Sequence, residues 1–144
     1  MKVNFKVLCE GATPPAYATE YAAGADLYNL KDASVALAPG ETKLIHTGVA
    51  LEIPEGYVGL IFARSGLASK RGLAPANKVG VIDSDYRGEI MVALHNHGES
   101  AQTIEHGERI AQFIITPVLT PAYEVVQELS DTARNTGGFG STGK

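Results

Sequence analysis

Asp83 is the residue whose type and position most directly suggest chemistry, because it follows an apolar run that ends at Ile82. A carboxylate in that place is expected to be partly desolvated, and desolvation makes it accept a proton more readily, as a general base does. Tyr86 follows three residues later, and its ring can form one wall of a small pocket. Gly80 and Gly88 let another group approach the backbone closely. Asp83 can equally be a turn residue without chemistry, because aspartate is common in turns.

A second set of residues suits the binding of an anion. Arg64 and Ser65 come directly before GLASKR at 66–71, the one segment that predicts a short helix, and a helix N-terminus with an arginine suits a phosphate. The alternative is an N-cap serine beside a surface arginine, which is the commoner arrangement. Gln112 is a polar amide in an apolar strand, so it needs a partner in the core or in a ligand. Alternation places Arg109 with the apolar residues of that strand and Gln112 on the other face.

The C-terminal stretch DTARNTGGFGSTGK, residues 131–144, has no core-forming pattern beyond Phe139. As free chain it should be disordered. Its glycine N–H groups, together with Arg134, Ser141 and Thr142, nevertheless offer the donors of a phosphate cradle. The stretch matches part of a P-loop pattern, but a P-loop lies between a strand and a helix, so we reject that interpretation.

Composition excludes several classes of partner. The chain has 144 residues, which suits one domain, and its net charge of −4 makes a nucleic-acid or membrane-surface partner unfavourable. The single cysteine, Cys9, excludes an intrachain disulfide and indicates a reducing compartment, so we expect a cytoplasmic protein. His95 and His97 could face the same side of a strand, but no third ligand is near, and a metal site there is not favoured.

Short apolar strands separated by turn signals at intervals of about eight to twelve residues predict an all-β sandwich or barrel. Within it, NKVGVIDSDYRGEI at 77–90 predicts a β-hairpin whose turn carries Asp83. The last predicted strands are RIAQFIITPV at 109–118 and AYEVVQEL at 122–129.

Five motifs make the chain resemble the trimeric dUTPases, in that family's order and spacing and over nearly the whole chain. Five ordered matches are far more specific than any one of them. The resemblance implies a distorted β-jelly-roll domain over 1–130, a flexible glycine-rich tail over 131–144 that closes over the site, and a homotrimer with sites shared between subunits. The motifs are AGADL at 23–27, RSGLA at 64–68, NKVGVIDSDYRGEI at 77–90, GERIAQ at 107–112 and RNTGGFGSTG at 134–143.

The resemblance also implies a reaction, the hydrolysis of dUTP to dUMP and pyrophosphate. That reaction limits uracil incorporation into DNA and supplies dUMP for dTMP synthesis. Asp83 would orient and deprotonate the water that attacks the α-phosphorus, and it would contact the 3′-hydroxyl. Mg²⁺ bound by the triphosphate would assist, with Asp26 near its water shell. Such a reaction needs charge neutralisation and in-line placement of water more than a covalent nucleophile.

The remaining family positions are expected to bind the substrate. Asn77 and backbone groups at Gly80 and Ile82 would recognise uracil, in a slot too tight for a 5-methyl group. Tyr86 would pack under the deoxyribose and exclude a 2′-hydroxyl, and Phe139 would lie over the uracil. The implied phosphate positions are Arg64, Ser65, Gly66 and Gln112 for the α- and β-phosphates, and Arg134, Gly140, Ser141 and Thr142 for the γ-phosphate.

The chain departs from the family pattern at two positions. Asn135 replaces the usual glycine after the tail arginine, and asparagine tolerates a positive φ better than most residues. Ala63 stands where proline is common before Arg-Ser-Gly, which loosens that turn.

Two other functions stay open. The related dCTP deaminases need a catalytic glutamate on the strand after the predicted hairpin, and this chain has Ala93 there. The second alternative function is that of a binding protein, a trimeric β-domain that binds dUTP in signalling or as a scaffold. The intact Asp83 and the tail argue against it.

Overall fold

The computed structural model describes residues 1–32 and 34–138, and within them the chain forms ten strands and one short helix. The prediction of an all-β fold with a single short helix is therefore confirmed. None of the described helical structure has the length and apolarity that crossing a membrane requires. The elements are β1 (Asn4–Val7), β2 (Ala25–Tyr28), β3 (Val35–Leu37), β4 (Thr42–Glu52), β5 (Tyr57–Phe62), α1 (Ser65–Arg71), β6 (Leu73–Pro75), β7 (Gly80–Ile82), β8 (Glu89–Asn96), β9 (Gln102–Ile104) and β10 (Arg109–Pro117).

Two four-stranded antiparallel sheets enclose the core. The strand order is β1-β4-β8-β6 in one sheet and β2-β10-β5-β7 in the other, and β3 pairs with β9 as a separate ribbon. Strand β8 shows why these residues form a sheet, since Ile90, Val92 and Leu94 are buried and alternate with partly exposed residues. They pack in one apolar cluster with Ile61 and Phe113 of the other sheet, which makes the domain a sandwich.

Helix α1 links β5 to β6 and ends at Gly72. That glycine has φ 65°, a left-handed conformation that glycine adopts without a Cβ penalty. A Cβ at Gly72 would lie 2.9 Å from the Gly98 nitrogen, so the close approach of two backbones also requires glycine. Leu67 is the buried residue of the helix and anchors it to the core.

The predicted β-hairpin at 77–90 is wrong. Strand β7 pairs with β5, and β8 pairs with β4 and β6, so residues 83–88 cross from one sheet to the other. Alternation and turn residues identified both strands correctly, but the pairing partner depends on which sheet each strand joins. The expected desolvation of Asp83 is also wrong for the single chain, because the crossing leaves that residue exposed.

The predicted strand at 122–129 is absent as well. Residues 118–136 are exposed throughout and contain no strand or helix, although their apolar side chains favoured one. Val125 is fully exposed, and Leu119, Tyr123 and Leu129 are nearly so. A strand needs a neighbouring strand for its backbone hydrogen bonds, and the described part of this chain offers this segment none.

Candidate active site

A buried carboxylate with two arginines lies at one end of the second sheet. Asp26 on β2 is only 2% exposed. The Arg64 Nε donates to its Oδ1 at 2.8 Å, and the Arg109 Nη1 donates to its Oδ2 at 3.2 Å. Gln112 on β10 stands directly opposite Asp26 in the antiparallel register. We call these four residues the arginine corner; charge-assisted hydrogen bonds hold it together.

Arg109 reaches this corner because of a β-bulge. The register of β10 on β2 shifts between Arg109 and Ala111, so Arg109 pairs with Tyr28 and Gln112 pairs with Asp26. Residues directly opposite each other share a face of the sheet, and residues two apart on a strand share a face too. Arg109 therefore lies on the same face as Gln112, and the prediction that they face opposite sides is wrong. One extra residue at the bulge reverses the direction of the side chain.

Arg64 and Ser65 join the end of β5 to α1. Arg64 itself is the N-cap, with extended φ −81° and ψ 129°, and Ser65 is the first residue of the helix. The N-cap alternative for Ser65 is therefore wrong, and its exposed side chain is available to a ligand. Gly66 is exposed too, and a Cβ there would meet nothing within 4 Å. Within the single chain, a side chain at position 66 would therefore not clash with any neighbouring atom.

A cleft of about 180 Å³ opens on the other edge of the same sheet. Three of the positions predicted to bind uracil line it, namely Asn77, Gly80 and Ile82. A Cβ on Gly80 would come within 3.1 Å of the Ile61 side chain, so glycine there allows close packing of β7 on β5. The other lining residues are Leu44, Ile61, Pro75, Val81, Met91, Val92 and Ala93.

The arginine corner and this cleft are two strands apart. In the register of β5, Gln112 lies opposite Phe62 on one side, and Gly80 lies opposite Ile61 on the other. Adjacent strands are spaced by about 4.8 Å, so the two sites are separated by roughly 10 Å. Phe62 and Ile61 are adjacent on β5, so their side chains point to opposite faces of the sheet, and the register does not place the corner and Gly80 on one face.

Asp83 and Tyr86 lie in the crossing that follows β7. The Tyr86 N–H donates to the Asp83 carbonyl at 3.2 Å, and the Tyr86 hydroxyl donates to the Glu89 carbonyl at 3.0 Å. The ring packs over Gly88, where a Cβ would overlap the Tyr86 hydroxyl. Asp83 borders a wider groove of about 670 Å³ with Ser84 and other residues of β5 and the crossing. The functional roles of Asp83 and Tyr86 stay predictions, and the group that approaches the Gly88 backbone closely is the Tyr86 ring.

Glu89 ties the start of β8 to a bulge in β4. Its Oε2 contacts the His46 Nδ1 at 2.9 Å, and its Oε1 accepts from the Gly48 N–H at 2.7 Å. Burial acts to raise the pKa of Glu89, but hydrogen bonds from His46, Gly48 and Thr47 and the charge of His46 hold the pKa below its ordinary value. No local pattern in the sequence around His46 indicates a partner 43 residues away.

The described residues do not fit a metal ion held by the protein. They contain no group of three or more histidine, cysteine, aspartate or glutamate side chains able to hold one. Both Asp26 oxygens already accept from arginines. His95 and His97 stack edge to face at 4.3 Å, and the His95 Nδ1 contacts the Thr42 hydroxyl. The pKa of His97 is lowered by burial and by the charges of His95 and Lys78.

The described part of the tail folds only on itself. The Arg134 Nε donates to the Gly137 carbonyl at 2.7 Å, and Asn135 and Thr132 exchange two hydrogen bonds. Asn135 has φ 41°, so the expectation that asparagine serves there for a positive φ is confirmed. The predicted positions Phe139, Gly140, Ser141 and Thr142 lie outside the described residues.

Comparison with known proteins identifies relatives along the full chain. The dUTPase family model matches residues 10–143. The deoxyuridine 5′-triphosphate nucleotidohydrolase of Nautilia profundicola is 54% identical over 144 residues, which is 100% of both chains. The protein of that name from Desulfitobacterium hafniense is 52% identical over 130 residues, covering 90% of this chain and 86% of the relative.

Solved structures agree in fold. The dUTPase of Staphylococcus bacteriophage 80alpha, in a structure with dUPNHPP, superposes with a TM-score of 0.91 at 33% identity over 99% of each chain. The dUTPase of phage phi11 of S. aureus gives a TM-score of 0.83 at 28% identity, covering 92% of this chain and 100% of that one. The chain therefore belongs to the dUTPase family and is a dUTP diphosphatase, a hydrolase of nucleotide metabolism.

Proposed function

We propose that the enzyme hydrolyses dUTP to dUMP and pyrophosphate by attack of a water molecule on the α-phosphorus, with Asp83 as the general base. The observation that supports this most directly is the arginine corner, in which Arg64 and Arg109 are held on Asp26 on the face that carries Gln112; the exposed Asp83 directly follows the strand that lines the 180 Å³ cleft. Asp83 is exposed in the single chain, so it can reach a water molecule above the sheet.

The cleft is proposed to take the uracil end of the substrate. Asn77 is exposed at this site, and its amide supplies both donors and an acceptor for the edge of a base. Gly80 and Ile82 are strand residues whose backbone also borders the cleft. Tyr86, held by its bond to the Glu89 carbonyl, would contact the sugar and leave no space for a 2′-hydroxyl.

The arginine corner is proposed to bind the α- and β-phosphates. Ser65 and Gly66 are exposed beside Arg64, and Gln112 lies on the face that carries both arginines. Positive groups fixed before the substrate arrives stabilise charge that develops on the phosphate oxygens, because they need no reorganisation during the reaction. Residues 131–144 would then close over the γ-phosphate, with Arg134 as their cation.

Enzymes of this family generally use a divalent metal ion. We propose that Mg²⁺ enters with the triphosphate as part of the substrate, because the described residues offer no three-ligand group of their own. Asp26 stays a predicted neighbour of its water shell. In this structure the Asp26 carboxylate orients two arginines, which supports a role in phosphate binding more directly.

We further propose a homotrimer with sites shared between subunits. The segment 118–129 exposes large apolar side chains, and Phe5 and Val7 of β1 are about half exposed. A monomer rarely leaves such a set of apolar residues to solvent, so a second copy of the chain is the natural partner for them. A cytoplasmic enzyme of this kind would limit uracil in DNA and supply dUMP for dTMP synthesis.

An assay of product identity tests the proposed function. The purified protein is incubated with dUTP or dCTP and Mg²⁺, and pyrophosphate and ammonia are measured. We expect pyrophosphate from dUTP and no ammonia from dCTP. Ammonia from dCTP would indicate a deaminase, and dUTP binding without either product would indicate a binding protein.

A further inference from the structure

The arginine corner contains more positive charge than its carboxylate needs. Asp26 is 2% exposed and accepts one hydrogen bond on each oxygen, from Arg64 and from Arg109. One arginine would suffice to neutralise a buried carboxylate. The second leaves the group with one net positive charge on the face of the sheet that carries Gln112.

The two arginines contact the Asp26 carboxylate through different nitrogen atoms. Arg64 contacts Asp26 through Nε, and in the described residues its two Nη groups have no protein partner. Its side chain is 22% exposed, so Arg64 is held by Asp26 and remains partly open to solvent. Arg109 contacts Asp26 through a terminal Nη1 and is 47% exposed, at the edge of the group.

We propose, on the basis of the proposed function, that Arg109 is a positioning residue for phosphate binding that acts through Asp26. Arg109 neutralises Asp26, so that Arg64 offers an uncompensated positive charge to the phosphates. Without Arg109, the buried carboxylate and Arg64 form a neutral pair, and the attraction for an anion falls although Arg64 stays in place. The β-bulge in β10 makes this possible, because it directs Arg109 to the face of Asp26.

Three variants separate this charge effect from a structural one. Arg109→Gln removes the charge, and we expect the KM for dUTP and the Kd for inorganic pyrophosphate to rise about tenfold, with kcat changed less. The double variant Asp26→Asn with Arg109→Gln restores a net charge of +1, while the asparagine carbonyl still accepts from the Arg64 Nε. We expect both constants to return to within about threefold of wild type. Lys43→Gln removes one positive charge from a surface ion pair with Glu41 and serves as the matched control.

The outcomes distinguish the alternatives. If Arg109 only joins β10 to β2, the double variant is less thermostable than Arg109→Gln and binds no better, which would overturn the proposal. If Arg109 itself contacts the phosphates, the double variant stays weak at unchanged stability, and the proposal is overturned too. The effect should also shrink at high salt, since exposed charges are screened. Pyrophosphate binding is measurable even if wild type does not hydrolyse dUTP, so failure of the proposed function and failure of this inference can be told apart.

Discussion

The arginine corner and the segment 118–138 are opposite cases within one site. The corner is assembled by residues from β2, β10 and the end of β5, and its central carboxylate is 2% exposed. The segment 118–138 is exposed almost throughout, and its backbone joins the sheets only where the Val118 N–H donates to the Gly56 carbonyl. One chain therefore forms, without a partner, the corner that we propose as the phosphate-binding end of the site. We propose that the end that carries Arg134 depends on contacts with other subunits.

The largest effect is expected for Asp83, which belongs neither to the arginine corner nor to the segment 118–138. Asp83→Asn should lower kcat about a hundredfold or more, the usual range for a lost general base. Nucleotide binding should survive, because the preformed arginine corner is untouched. Steady-state kinetics and binding of a non-hydrolysable dUTP analogue measure the two effects. Asp85→Asn, an exposed carboxylate in the same crossing, is the control and should keep near-normal turnover. Near-normal turnover of Asp83→Asn would contradict the assignment of the base.

Removing the tail tests whether the exposed region is needed for chemistry but not for folding. A chain that stops after Leu129 should fold and trimerise, since residues beyond it contribute nothing to the core cluster among the described residues. It should lose roughly tenfold or more of its activity, because the groups that close over the phosphates are gone. Circular dichroism, native mass and dUTP turnover check this. Loss of the trimer would show that the tail has an assembly role.

The same truncated chain reveals which subunit supplies each part. It is refolded with an equal amount of full-length Asp83→Asn chains, and the residual activity of each homotrimer is measured separately and subtracted. If each site takes Asp83 and the tail from different subunits of a closed ring, about a quarter of sites are complete, so up to a quarter of wild-type activity should return. No recovery, in a sample whose mass shows mixed trimers, would mean that the tail serves its own subunit.

Substitutions of Tyr86 test whether a second part of the site, outside the arginine corner, is also formed within one chain. The Tyr86 ring is held by Gly88 and by the Glu89 carbonyl without any partner chain. Tyr86→Ala should therefore narrow the difference in kcat/KM between dUTP and UTP, by roughly tenfold, because the 2′-hydroxyl gains space. Gly88→Ala should act in the same direction, since its methyl group displaces the ring. Equal hydrolysis of UTP and dUTP by wild type would contradict the role of Tyr86.

The smallest effect concerns the stability of the folded β-domain, to which Glu89 contributes by joining β8 to β4. Glu89 has a lowered pKa in the folded chain, so its contribution is present above the ordinary glutamate pKa and is lost as pH falls through about 4.3 and below. Glu89→Gln should cost about 1–2 kcal/mol at neutral pH and less in acid, because hydrogen bonds to a charged group are lost. Thermal unfolding of both proteins between neutral and acid pH measures this. A difference in stability that does not change with pH would contradict it.

Part of this molecule could be predicted from local sequence. The alternation that buries Ile90, Val92 and Leu94 predicts β8, because side chains two apart share a face of any strand. The short helix and the positive φ of Asn135 also follow from residue type. The ordered motifs indicated the family before any coordinates, although they do not test the roles of individual residues.

Tertiary structure decided what depends on partners distant in sequence. Residues 77–90 contain two real strands, but they join different sheets, and a local pattern cannot specify a pairing partner. Arg109 reaches Asp26 because a bulge inserts one residue in the pairing of β10 with β2, which reverses its side-chain direction. His46 finds Glu89 only when β4 and β8 pair. The apolar residues of 122–129 predicted a strand, and they remain exposed because strand formation requires a neighbour that the described part of one chain does not provide.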